Sequence, residues 1–140
     1  RFGFPNPEKH MILDQILSKE PLAPASIDGD QRLSDAIKWV IYSLFTAEEM
    51  EVNQENLDAK LEEAKSNNSL TSLRRFLGVD GGLGEKLGLD DDFVVNVIRS
   101  TGNYGEIYAR HLGPNSSVPI PRGLNNSHQR GGLLISPPFN

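Results

Sequence analysis

Two parts of this chain carry residue types at spacings that could do chemistry. The first is Gly78-Val-Asp-Gly-Gly-Leu-Gly-Glu-Lys86, a glycine-rich loop ending in lysine. Loops of this kind cradle phosphates with backbone N–H groups, but they close with Gly-Lys-Ser/Thr so that the hydroxyl can hold Mg²⁺. Here Gly84 is followed by Glu85, Lys86 is followed by Leu87, and no strand pattern leads into the loop. The dinucleotide spacing Gly-x-Gly-x-x-Gly fails too, because Gly88 comes one position late after Gly82-Leu-Gly84. Nucleotide binding is not expected, and these glycines read as helix punctuation.

The second is the set of acids and histidines. Glu48, Glu49 and Glu51 could supply a carboxylate pair, but acid–base work needs a pocket that separates their pKa values. At the end of a helix they read as a solvated face. Asp90-Asp-Asp92 lacks further oxygen ligands at the spacing of a calcium loop, and reads as the charged start of a helix. His10, His111 and His128 lie far apart without an i,i+4 partner, so converging metal ligands are not expected. No Gly-x-Ser-x-Gly elbow is present. Asn67-Asn-Ser69, Asn115-Ser-Ser117 and Asn125-Asn-Ser127 fit the glycosylation sequon and are given no function. No catalytic residue, metal ligand or cofactor is assigned.

The elements that would position such groups are mostly helical. Pro5, Pro7 and Pro21 bracket the apolar residues Met11-Ile-Leu13 and Ile16-Leu17, which favours a short strand there. Leu33, Ala36, Ile37, Val40, Ile41, Leu44 and Phe45 recur on one face of a helix over roughly 31–50, with Asp35, Lys38 and Ser43 opposite. Asn53 is expected to cap a polar helix through Glu62 or Lys65. Leu70, Leu73, Phe76 and Leu77 mark a short helix ended by Gly78, and Glu85-Lys-Leu87 a single turn stopped by Gly88. Phe93, Val94, Val97 and Ile98 form the stripe of the next helix. Gly102-Asn-Tyr-Gly105 is expected to be a turn before a last helix anchored by Ile107, Tyr108 and Leu112, which ends at Gly113-Pro114. Beyond it the tail is rich in proline and glycine, with Leu133-Leu-Ile135 as a possible short strand. The fold class expected is mainly α with one or two short strands.

At 140 residues the chain is the size of one domain with a real core. Its 37% hydrophobic and 24% charged residues are ordinary for a globular protein. A net charge of −5 without a basic cluster disfavours nucleic acid and anionic membranes as partners. The absence of cysteine excludes disulfide scaffolds, thiol nucleophiles and Cys-based zinc sites, and fits periplasm and cytosol equally. No apolar run approaches the length of a membrane span. A start at Arg1 is expected of a processed chain or of an internal piece of something longer.

Several segments, taken in order, carry a more specific pattern. They are Ser18-Lys-Glu-Pro-Leu22, Asp35-Ala-Ile-Lys-Trp-Val-Ile-Tyr42, Ala47-Glu-Glu49, Arg74-Arg-Phe-Leu-Gly78 and Leu87-Gly-Leu-Asp90. Val97-Ile98, Gly102-Asn-Tyr-Gly-Glu-Ile-Tyr108, Pro121-Arg-Gly-Leu124, Gly131-Gly-Leu-Leu134 and Pro137-Pro-Phe139 follow. In this order and spacing the chain resembles the C-terminal part of the periplasmic general L-amino-acid-binding proteins that feed ABC importers. Asn126-Ser-His128 and Ser136 depart from that pattern.

The resemblance implies the C-terminal part of a two-lobe α/β periplasmic-binding-protein type II fold. Residues 1–28 would hold the end of the second lobe and the inter-lobe crossover, and 29–113 the helices returning to the first lobe. Residues 114–140 would be an extended tail. Lys19, Glu20 and Pro21 match the crossover, and Lys19 and Glu20 would lie near the hinge and the ligand. The residues that hold the amino and carboxyl groups of the ligand would lie upstream of Arg1. The function implied is capture of an L-amino acid by lobe closure in the periplasm and delivery to an ABC permease in the membrane, with no covalent chemistry. An enzyme on the same fold, such as a dehydratase, and a helical interaction module are the alternatives. The stripe Leu33, Ile37, Val40, Ile41 and Leu44 would then face a sheet that this chain lacks, so homo-oligomerisation through it is expected. The chain alone is not expected to bind amino acids.

Overall fold

The structure is a computed structural model; it describes residues 3, 5–11, 13, 15, 17–18 and 22–139. Among them six α-helices form: α1 Gln31–Glu49, α2 Leu57–Ser66, α3 Thr71–Phe76, α4 Leu83–Leu87, α5 Phe93–Thr101 and α6 Tyr104–Leu112. Single 3₁₀ turns occur at Pro7–Lys9, Gly123–Asn125 and His128–Arg130.

α1 begins where Asp30 accepts the amide of Leu33 at 2.9 Å, a side-chain cap that satisfies one orphan donor. It packs against α4, α5 and α6, while α2 packs on α3 and α5. The core is built from Ala47 of α1, Val52, Leu57 of α2, Phe76 and Leu77, and the α5 residues Phe93, Val94, Val95 and Ile98. Burying each of the larger side chains contributes about 1.5–3 kcal/mol. No helix among the described residues is long and apolar enough to cross a membrane.

Four local expectations change. Ser43, expected on the solvated face of α1, is fully buried, and its hydroxyl donates to the Val40 carbonyl at 2.6 Å. That bond to the preceding turn lets a polar side chain sit inside a helix interface. The core face of α1 therefore runs through Ser43, Thr46 and Ala47, while Leu33, half exposed, lies off it. Asn53 does not cap α2. Asn53 and Asn56 instead donate their amides to each other's side-chain oxygen at 2.9 Å, closing a turn, and the helix starts after Asn56.

Tyr104 and Gly105 belong to the last helix and not to a turn before it. Asn103 accepts the Glu106 amide at 3.0 Å while Glu106 accepts the Asn103 amide at 2.8 Å, and this reciprocal capping box starts α6 two residues early. The expected strands do not form among the described residues. Leu133-Leu-Ile135 contributes only a bridge between Leu134 and Ser127. Met11, Leu13 and Leu17 are in no regular element, and Ile12 and Ile16 lie outside the described residues.

Gly78, Gly82 and Gly88 hold as helix punctuation, whereas Gly84 lies buried inside α4. Gly78 follows the end of α3 at φ +73°, where a side chain would also collide with the Asp91 carbonyl, so only glycine fits.

Candidate functional site

α1 ends in Thr46-Ala-Glu-Glu49, and three of these residues reach the C-terminal tail. Glu48 receives both terminal nitrogens of Arg122, the second at 2.9 Å. Its side chain is only 7% exposed, and that of Arg122 only 19%. The guanidinium also donates to the Asn125 carbonyl at 2.8 Å and lies 5.4 Å from the ring centroids of both Tyr104 and Tyr108. A planar bidentate cation between two aromatic faces is a geometry that arginine alone supplies. Glu49 pairs with His128 at 3.1 Å, and Thr46 shares a 2.6 Å hydroxyl contact with Ser136. Glu48 and Glu49 are thus an anchored pair rather than the expected solvated face; only Glu51 is exposed. Burial pushes the Tyr104 hydroxyl above the usual tyrosine range, against the opposing field of Arg122.

Beside this cluster a polar cleft of about 650 Å³ opens between Glu48, Glu106, Asn103, Lys60 and Arg122. Several of its polar groups are taken up internally. Glu106 caps α6 and also accepts the Gln54 amide at 3.3 Å, Asn103 donates to the Val52 carbonyl at 2.9 Å, and Lys60 pairs with Glu63. No buried side-chain polar atom among the described residues lacks a partner. The buried polar groups of this wall therefore serve as a fastening, while Glu51 and Arg130 line the cleft as exposed side chains. A second, apolar hollow of about 530 Å³ lies between Tyr108, Ala109, Pro114, Pro119 and Ile120.

The glycine loop meets its anion from within. Asp91 accepts the amide of Gly82 at 2.9 Å and that of Glu85 at 3.4 Å, so a carboxylate occupies the position a phosphate would need. Of the three aspartates expected to start α5, Asp91 folds back on this loop and Asp92 contacts Asn96 at 3.1 Å. No group of acids, histidines or cysteines that could hold a metal ion forms among the described residues. His128 joins Glu49, and His10 donates from Nδ1 to the Asn6 carbonyl, 3.1 Å away. Lys19 and Glu20, the residues tied to the hinge, lie outside the described residues, as does Pro21.

The cluster that sequence reasoning did not assemble is Glu48, Tyr104, Tyr108 and Arg122. Its members sit in three of the segments that carry the family resemblance, Ala47-Glu-Glu49, Gly102–Tyr108 and Pro121-Arg-Gly-Leu124, and that resemblance is the available signal. The two departing positions also have work here, since His128 and Ser136 provide the contacts to Glu49 and Thr46.

No family model matches the chain. It is 40% identical, over 99% of its length, to the glutamate/glutamine/aspartate/asparagine-binding protein of Rhodobacter capsulatus. It is 43% identical to the general L-amino acid-binding periplasmic protein of Rhizobium johnstonii, and 35% identical to a putative amino-acid ABC transporter-binding protein of Escherichia coli. The fold superposes, at a TM-score of 0.85 and 39% identity, on a periplasmic binding protein of an ABC transporter from Brucella ovis solved with glutathione bound. That match covers 99% of this chain and 42% of the other. The chain spans about 40% of the length of the curated relatives it matches. Sequence and fold together make this chain a homologue, along nearly its whole length, of part of the periplasmic amino-acid-binding proteins of ABC transporters.

Proposed function

We propose that this chain is the part of an extracytoplasmic amino-acid-binding protein that carries the crossover from its second lobe and completes its first. In this reading residues 1–28 hold the end of the second lobe and the crossover, 29–113 the helices returning to the first lobe and 114–140 the extended tail. The complete protein captures its ligand in the periplasm by closing two lobes and delivers it to an ABC permease. The observation that carries this reading is similarity over 99% of the chain to proteins of that kind in both sequence and fold. The ligands named for those relatives share one feature: a free amino group and a free carboxylate on the same carbon, which the γ-glutamyl end of glutathione also has. The ligand class proposed here is therefore compounds with a free α-amino-acid end.

Two features of the chain support a role as part of a larger protein. Leu17 and Leu22 are 96% and 95% exposed, and Met11, Leu13 and Ile27 are exposed with them, an apolar run that a larger partner surface would cover. Glu48 and Glu106 in the polar cleft are engaged in internal bonds, which fits a ligand site formed elsewhere. No step of this function makes or breaks a covalent bond.

Calorimetry on the full-length protein tests the reading. L-Glutamate, L-glutamine and glutathione are expected to release heat and raise the melting temperature, and N-acetyl-L-glutamate to do neither. Silence with every free α-amino acid would sink the proposal.

A further inference from the structure

The tail from Arg122 to Phe139 is a self-contained piece of backbone. Among the described residues, its loop hydrogen bonds all stay within it: His128 to Leu134 at 2.9 Å, Gly132 to Ser127 at 2.9 Å, Leu133 to Leu124 at 2.9 Å and Leu134 to Asn126 at 3.1 Å, each amide donating to a carbonyl. What joins it to the helices is side chains alone. Arg122 and Arg130 reach Glu48, His128 reaches Glu49, Ser136 meets Thr46, Arg122 also lies over Tyr104 and Tyr108 of α6, and Phe139 stacks edge-on to Trp39 at 5.0 Å and Phe76 at 5.1 Å.

Phe139 is the one large apolar side chain of the tail that is buried, while Leu124, Leu133 and Ile135 remain 45–64% exposed. A segment with little buried apolar area and its own closed hydrogen bonds loses few backbone bonds on leaving its seat, so it opens at lower cost than the core. The polar attachments all land within one turn of α1, Thr46 to Glu49, so they are made and broken together.

We propose that residues 122–139 are a latched strap that releases from α1 as one unit while the helical core stays folded, uncovering an aromatic slot at Trp39 and Phe76. The segment Pro119-Ile-Pro121 is its fixed end, because the Ile120 amide donates to the Leu112 carbonyl at 2.8 Å and Tyr108 donates to the Ile120 and Pro121 carbonyls at 3.3 Å.

Hydrogen exchange on the whole chain tests this, with Trp39, the sole tryptophan, as an optical probe. The amides of Gly132, Leu133 and Leu134 are expected to exchange at one common opening rate, at least about tenfold faster than those of Ile98 and Thr101 in α5. Phe139→Ala, and more mildly His128→Gln, should speed the strap amides and make Trp39 accessible to acrylamide while leaving α5 unchanged. Because the chain has no cysteine, a Thr46→Cys, Ser136→Cys disulfide can hold the strap down and should slow its amides alone. Exchange of the strap in step with α5, or residue by residue at unrelated rates, would overturn the proposal. So would a variant that speeds strap and α5 equally.

Discussion

Arg122 and Glu48, 74 positions apart in the chain, meet end-on as a bidentate ion pair that closes the tail over the end of α1. Both side chains are largely out of water, so the pair is held by geometry that neither partner can find in solvent. Removing one member leaves the other charged and buried. Arg122→Ala is expected to destabilise the fold by about 2–4 kcal/mol, below the cost of breaking a fully buried pair because Arg122 keeps some exposure. Arg122→Lys should recover little, since a point charge cannot fork. Urea unfolding at unchanged m-value measures both. With the cation gone, Tyr104 should ionise at still higher pH, because Arg122 is what opposes the effect of burial, and alkaline absorbance titration reads that shift.

Asn103 serves α6 twice: its oxygen takes the Glu106 amide and its nitrogen donates to the Val52 carbonyl. Asn103→Ala loses both, and the expected cost is about 2–3 kcal/mol, one part for the cap and one for a carbonyl left without its donor. Asn103→Asp keeps a capping oxygen but sets a carboxylate against the Val52 carbonyl, so it should do no better than alanine. Comparing the two by thermal unfolding separates the roles; an aspartate variant as stable as the parent would refute the second.

Gly84 lies inside α4, where propensity alone favours alanine by about 1 kcal/mol. The structure predicts the opposite sign. A Cβ at Gly84 would run into the backbone of Asp90 and Asp91, and overpacking of this kind costs about 1–3 kcal/mol. Gly84→Ala should therefore lower the melting temperature, and a stabilised variant would show that α4 and the Asp90 loop are not in this contact.

These tests bear on the limit of what local pattern can reveal. Helix positions follow from apolar spacing and capping chemistry, and α1, α3 and α5 lie where Leu33 to Phe45, Leu70 to Gly78 and Phe93 to Ile98 put them, whereas α4 starts at Leu83, two residues ahead of the turn expected at Glu85. Ser43 was legible only as polar, because its bond to the Val40 carbonyl costs nothing that sequence shows. The Asn53 and Asn56 exchange, and the capping box at Asn103, displaced two helix starts since each asparagine has more than one partner within reach. The Glu48 and Arg122 site was beyond local reading altogether, as no periodicity connects residues that far apart.

Arg74 and Asp80 give a pH signature. Arg74 donates to both oxygens of Asp80 at 2.9 and 2.7 Å, and this hydrogen bonding holds the Asp80 carboxyl below its usual range. A depressed carboxylate adds stability above its unfolded pKa of about 3.9 and loses it as pH falls through the lower folded value. The pair should thus matter at neutral pH and fade below about pH 4. Carbon-13 titration of the Asp80 carboxyl should show the low midpoint, and Arg74→Met should return it towards the free value. An unchanged midpoint in that variant would mean the guanidinium is not the cause.

The apolar residues of α1 that the core leaves uncovered set the last expectation. Of the five residues in its sequence stripe, Val40 and Leu44 lean on the core, while Leu33 is 44% exposed and Ile37 and Ile41 are half-buried off the core. Residues at 33, 37 and 41 share one helix face, so the uncovered part is continuous along about two turns. In water such a face gains by pairing, at about 25 cal/mol for each Å² of apolar surface removed. The chain by itself is expected to form a dimer or higher oligomer through this face, with weight-average mass rising with concentration in light scattering. Ile37→Glu should shift the population towards monomer without altering the circular dichroism, since Ile37 does not pack on the core. A chain that stays monomeric at high concentration, or an oligomer indifferent to that substitution, would rule this face out as the contact.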